Sequence, residues 1–144
     1  MLRRNLLLIL GLLLVGCAAS DPPVPAAPAS AASPAGVHER FIQALQTNDR
    51  QTVLELVGAI QYKEGMVDTW LSNATALQRT SATIGPFTDV QILPPTDQGQ
   101  GQTAISVWQH ERGASCYRAT LAQTEAAWHV IDWRSMGRSN CPTS

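Results

Sequence analysis

The 144-residue chain has no apolar run long enough to cross a membrane. Its longest, Leu6 to Val15, spans ten residues and is interrupted only by Gly11. A bilayer core of roughly 30 Å takes about 20 helical residues. Charge is scarce, at 15% of residues, and nearly balanced, with 10 Lys and Arg against 11 Asp and Glu. The basic residues are scattered, which argues against a nucleic acid partner. The three histidines, His38, His110 and His129, lie far apart in no H-x-H or HExxH pattern, so no metal site is expected. His38 stands at the start of an amphipathic segment and reads as a solvated helix residue. The three cysteines form neither C-x-x-C nor a zinc spacing. No serine sits in a G-x-S-x-G elbow. Gly99-Gln100-Gly101 lacks the strand-before, helix-after context of a phosphate loop and reads as a flexible turn. No cofactor is implied.

What is present begins with an address. Arg3 and Arg4 precede the short apolar core, the order of an export signal. The core ends in Leu14-Val15-Gly16-Cys17, which resembles the bacterial lipobox. There the cysteine thiol takes a diacylglycerol and the chain is cut just before it. Small Gly16 suits peptidase access, and Cys17 supplies the sulfur. The resemblance implies a lipid-anchored mature protein outside the cytoplasm, whose membrane partner is reached through Cys17. Ala18, rather than aspartate, stands next to the cysteine. In a Gram-negative cell that favours the periplasmic side of the outer membrane. The competing reading is an ordinary secretory signal cut a few residues later, for example after Ala19.

Residues 17–36 are Cys17 followed by a stretch of Ala, Pro, Ser and Gly, with one charge at Asp21. Prolines 22, 23, 25, 28 and 34 fix φ and remove amide donors, so polyproline-like extension is expected. Such a tether holds a domain about 50 Å from the lipid at full stretch, at roughly 3.1 Å per residue. Residues 1–16 are thus a signal peptide, 17–36 a lipidated tether and 37–144 one domain, long enough for one core. Loss of the signal removes two arginines, leaving eight basic against eleven acidic residues, a net charge of −3.

Ser33-Pro34 has the chemistry of a helix start, cap followed by first-turn proline. Val37, Phe41, Ala44 and Leu45 follow with the spacing of one buried face. Asn48 suits a left-handed stop and Asp49 a new cap. A short second helix carries Val53, Leu54 and Val57 and ends at Gly58. A third carries Val67, Trp70, Leu71, Ala74 and Leu77. After Gly85-Pro86 the period becomes two. One strand holds Val90 and Ile92 and stops at Pro94-Pro95. Three more span residues 102–111, 115–124 and 127–135, with turns at Arg112-Gly113 and Glu125-Ala126. Helices followed by an antiparallel sheet of about four strands make an α+β fold.

FIQALQTNDRQTVLELV, TAISVWQ and YRATLAQTEAAWHVIDW together resemble the nuclear-transport-factor-2-like superfamily, and more narrowly uncharacterised lipoprotein domains on that cone-shaped fold. The resemblance spans roughly residues 34–135 and implies helices packed on a curved sheet. Its motifs are packing positions. Relatives that isomerise steroids or cyclise polyketides use an acidic residue lining the cone, often with His or Tyr.

Tight hairpins predict Trp108 opposite Tyr117, Ser106 opposite Ala119, Leu121 opposite Val130, and Ala119 opposite Asp132. One face then gathers Trp108, Tyr117 and Asp132 as pocket candidates, with Asp132 as base and the Tyr117 phenol as donor. The alternative leaves Asp132 at a strand end, solvated or paired with Arg134. The other face carries Ile105, Val107, Cys116, Arg118, Thr120, His129, Ile131 and Trp133. Both faces are largely apolar, so both should be covered, by helices or a partner. Cys116 and Cys141, in an exported domain, read as one disulfide. The pairing places Cys116 opposite about Ser135, and Gly137 permits the tail to turn back. The function expected is a non-catalytic envelope lipoprotein binding a protein partner, a second copy or a small apolar ligand. Its rival is an isomerase- or cyclase-like enzyme using Asp132.

Overall fold

A computed structural model describes residues 33–99, 101–137 and 140–142. The signal segment, Cys17 and the tether as far as residue 32 lie outside the described residues; residues 34–36, expected as the end of the tether, form the first turn of a helix capped by Ser33, so the domain starts earlier than residue 37.

The first helix, α1 (Pro34–Gln46), starts where Ser33 accepts a hydrogen bond from the Gly36 amide at 3.2 Å, with Pro34 in the first turn. Val37, Phe41, Ala44 and Leu45 are buried as their spacing predicts. Asn48 takes φ 55°, and the Asp49 amide reaches back to the Ala44 carbonyl at 2.8 Å, closing the helix. Asp49 then caps α2 (Arg50–Leu56) by accepting from the Thr52 amide at 3.1 Å and its hydroxyl at 2.7 Å. Those two bonds hold the Asp49 carboxyl below its ordinary pKa. At Gly58 the chain passes close to the sheet. A Cβ there would lie 3.3 Å from the His129 Cβ, and the Gly58 amide donates to the Val130 carbonyl at 3.1 Å. This contact covers part of an edge strand that would otherwise be open. The third helix, α3 (Lys63–Leu77), buries Val67, Trp70, Leu71 and Ala74. No helix among the described residues is long and apolar enough to cross a membrane.

The sheet is antiparallel and contains β1 (Phe87–Ile92), β2 (Thr96–Asp97), β3 (Gln102–His110), β4 (Gly113–Thr124) and β5 (Ala127–Ser135). Its order is β1-β3-β4-β5, with β2 also paired to β3. The sequence predicts four strands, and β2 is the addition. Both β1 and β2 lie along β3, and the break between them is Pro94-Pro95, which has no amide to donate. The hairpin turn Glu125-Ala126 has both residues at positive φ, 51° and 66°, as a type I′ turn requires.

Two registers differ from the expectation. Between β3 and β4, Trp108 faces Ser115 and Ser106 faces Tyr117. That is a two-residue slip, because the turn falls at Glu111-Arg112 rather than Arg112-Gly113; a slip of two keeps every side chain on its expected face. Between β4 and β5 the correction is larger. Leu121 faces Val130 as expected, but the ladder shifts between Thr120 and Leu121, so Ala119 faces Trp133 and Thr120 faces Asp132. This β-bulge exchanges Asp132 and Trp133 between the faces of the sheet.

The three helices cover the inner face. There Phe41, Trp70, Trp108 and Trp133 are each no more than 5% exposed. Phe41 meets Trp70 at 5.7 Å and Trp133 at 6.2 Å, and Trp133 meets Trp108 at 6.2 Å, all edge to face. That is the favoured geometry for aromatic rings in a core. The outer face is mixed rather than apolar throughout. Val107 and Cys116 are buried there, Ile105 is half-buried and Arg118 is exposed.

Candidate functional site

The structure separates the three residues expected to line one pocket. Trp108 is fully buried on the inner face, and its indole N–H donates to the Ser106 hydroxyl at 3.2 Å. Tyr117, on the same face, stacks on Trp133 with ring centroids 4.3 Å apart, and burial pushes its phenol above the ordinary pKa. Asp132 is on the outer face. Its carboxylate lies 2.5 Å from the Arg134 guanidinium, two residues along the same strand, in an ion pair without hydrogen-bond alignment. The alternative of pairing with Arg134 is therefore the arrangement seen. The inner face offers a stack of aromatic rings where an acid was expected.

Cys116 and Cys141 are brought together in a disulfide, with Cα atoms 5.3 Å apart. The Met136 amide donates to the Cys116 carbonyl at 2.9 Å, so Cys116 sits one residue beyond the predicted Ser135. Gly137, at φ 73°, makes the turn that returns the chain. Cys17 lies outside the described residues.

The histidines also need correction. His38 is not solvated: it is 0% exposed on α1, and neither ring nitrogen has a hydrogen-bond partner among the described residues. Burial lowers its pKa to about 4. His110 is buried against Phe87, with ring centroids 5.9 Å apart. A pKa that falls from 6.5 unfolded to about 4 folded gives a definite pH dependence. The unfolded chain binds the proton more readily, so the contribution of neutral His38 is complete above about pH 6.5. It disappears as the pH falls towards 4. The loss is at most about 3 kcal/mol, from 1.36 kcal/mol per pKa unit. Urea titrations at pH 7.5 and 4.5 should show a steeper loss in the native chain than in His38→Leu. Equal pH profiles would contradict this.

An open groove of about 560 Å³ lies between the α1–α2 corner and α3, on the helical side of the molecule. Arg50 forms part of its wall and is held by Asp68 at 2.7 Å and Glu64 at 3.5 Å, contacts that raise its pKa. These residues carry no sequence motif. They come together where α1, α2 and α3 pack against one another, and the Gln78 side chain donates to the Gln46 carbonyl at 3.2 Å, joining the ends of α1 and α3.

No protein-family model matches the sequence, and no curated protein does. Among solved structures, the chain is similar to a protein from Thiobacillus denitrificans described as a calcium/calmodulin-dependent protein kinase type II association domain. The TM-score is 0.53 at 11% identity, over 72% of this chain and 93% of that one. A Campylobacter jejuni protein described as an NTF2-like transpeptidase is matched with TM-score 0.49 and 15% identity, over 67% of this chain and 94% of that one. The first likeness shows a shared fold. Helices packed on one side of an antiparallel sheet make this an α+β domain.

Proposed function

We propose that the chain is an envelope lipoprotein, anchored by lipid on Cys17, whose domain is non-catalytic and binds a protein partner. The observation that supports this reading is the filled interior. Phe41, Trp70, Trp108 and Trp133 occupy the inner face where the superfamily's enzymes line a cavity, and Asp132 is turned to the opposite face. A packed interior leaves recognition to the surface, which favours a protein over a small apolar ligand. The tether fits the same role, since a spacer gives an anchored domain reach.

The test is complementation of a deletion strain with full-length variants. Asp132→Asn and Tyr117→Phe, the acid and the phenol an enzyme of this fold would use, are expected to restore the wild-type phenotype. Asp132→Asn should also change stability by no more than about 1 kcal/mol, because its ion pair is partly solvated. Loss of function equal to the deletion, with thermal unfolding unchanged, would overturn the non-catalytic reading.

A further inference from the structure

We propose that the groove between the α1–α2 corner and α3 is a binding site for a small carboxylate. The inference is independent of the partner reading, which rests on the buried inner face and not on this groove. Four side chains along the groove have donors left over. Ser72 and Thr75 stand on α3 at spacing i, i+3, Arg79 follows just beyond the helix end, and Asn48 faces them from the opposite corner. None of the four side chains makes a hydrogen bond or ion pair among the described residues. Hydroxyls elsewhere on the helices behave differently: Thr69 donates back to the Gly65 carbonyl at 2.8 Å, and Thr47 to the Gln43 carbonyl at 3.0 Å.

The charges point to a single negative group. Asp68 would repel an anion, but Arg50 bonds it at 2.7 Å; Glu64, which shares that guanidinium at 3.5 Å, lies in the first turn of α3, at the opposite end of the helix from Arg79. Arg79 remains as the uncommitted cation. A guanidinium presents paired N–H donors that match the two oxygens of a carboxylate, with hydroxyl and amide donors to complete its shell. The body of the ligand would lie beside Leu71, the apolar residue lining the groove. The size, about 560 Å³, falls within the range of roughly 300–1,000 Å³ common to small-molecule sites. Both a free organic acid and the C-terminus of a peptide supply this chemistry.

The experiment is an NMR titration of the full chain in detergent with three probes: lactate, N-acetyl-dialanine and the C-terminal amide of that dipeptide. A carboxylate site predicts saturable shifts at Asn48, Ser72, Thr75 and the Arg79 side chain with at least one acid, and none with the amide. Arg79→Gln should weaken that binding at least tenfold, whereas Thr69→Ala, outside the groove, should leave it unchanged. Comparable binding of lactate and the dipeptide acid identifies a free acid site; binding of the dipeptide acid alone identifies a peptide terminus. The proposal is overturned if the amide binds as well as the acid, if Arg79→Gln binds like the native chain, or if no probe saturates at millimolar concentration.

Discussion

Replacing Cys17 with serine is expected to move the protein from the membrane fraction to the soluble one and to abolish fatty-acid labelling. The expectation rests on Leu14-Val15-Gly16-Cys17 following a ten-residue apolar core behind Arg3 and Arg4. Serine keeps the size of the side chain but replaces the sulfur that would take the lipid. The energetics make the effect large. Each acyl CH₂ buried in lipid contributes about 0.8 kcal/mol, so one chain binds reversibly while two or three hold a protein firmly. Among the described residues no helix is long and apolar enough to span. Cells fed an alkyne fatty acid should show a labelled native band and an unlabelled Cys17→Ser band, with the variant recovered after osmotic release of the periplasm. Equal labelling of the two would refute the lipid anchor. Equal fractionation despite lost labelling would instead reveal a second means of membrane attachment.

Local chemistry carried most of the fold from sequence to structure. Ser33-Pro34 and Asn48-Asp49 act within three or four residues, so their caps and stop are readable without knowledge of tertiary contacts. The alternation of β3 and β4 is equally local. The β-bulge at Thr120 and Leu121 is not, because it is settled by which residue of β5 fits under α1. Val130 and Ile131 are adjacent apolar residues, so alternation offers two registers for the residues beyond them. The large indole of Trp133 gains more from burial against Phe41 than an aspartate could, and the bulge follows. His38 was legible in principle. With Phe41, Ile42 and Leu45 it completes an i, i+3, i+4, i+7 stripe, all 0% exposed. Its polar identity hides the pattern. The groove containing Asn48 and Arg79 could not be read at all, since the residues lie on separate elements and meet only through helix packing.

Removing the Cys116–Cys141 disulfide is expected to destabilise the domain by about 3–4 kcal/mol. The bridge closes a loop with a sequence separation of 25, and the chain-entropy model gives that figure for a loop of this length. The loop runs through β4, the Glu125-Ala126 turn and β5, so the bridge restrains the hairpin that holds Leu121, Val130 and Trp133 in the core. Its far end is otherwise weakly held. Beyond β5 the described residues offer the Met136 amide to the Cys116 carbonyl, the Gly137 amide to the Ser135 hydroxyl at 3.4 Å, the Asn140 amide to the Gly137 carbonyl at 3.3 Å and the Asn140 side chain to the Met136 carbonyl at 3.0 Å. Two of those four bonds are internal to the tail and a third reaches only the last residue of its own strand, leaving one backbone bond to β4 and the sulfur bridge to fasten it across the hairpin. Against a total stability of about 5–15 kcal/mol for a domain, the expected loss is large. Cys116→Ala/Cys141→Ala, expressed with export, should show a lower urea midpoint and a slope no smaller than the native one, since the folded core is the same and the denatured chain, freed of its cross-link, exposes more surface. Cys116 is buried, so Cys141→Ser alone serves as the control that leaves the sheet side chain in place. Both variants should lose similar stability if loop closure is the cause. A loss confined to the variant lacking the Cys116 side chain would assign the effect to packing on the outer face, and native stability in both would refute the bridge as a stabilising element.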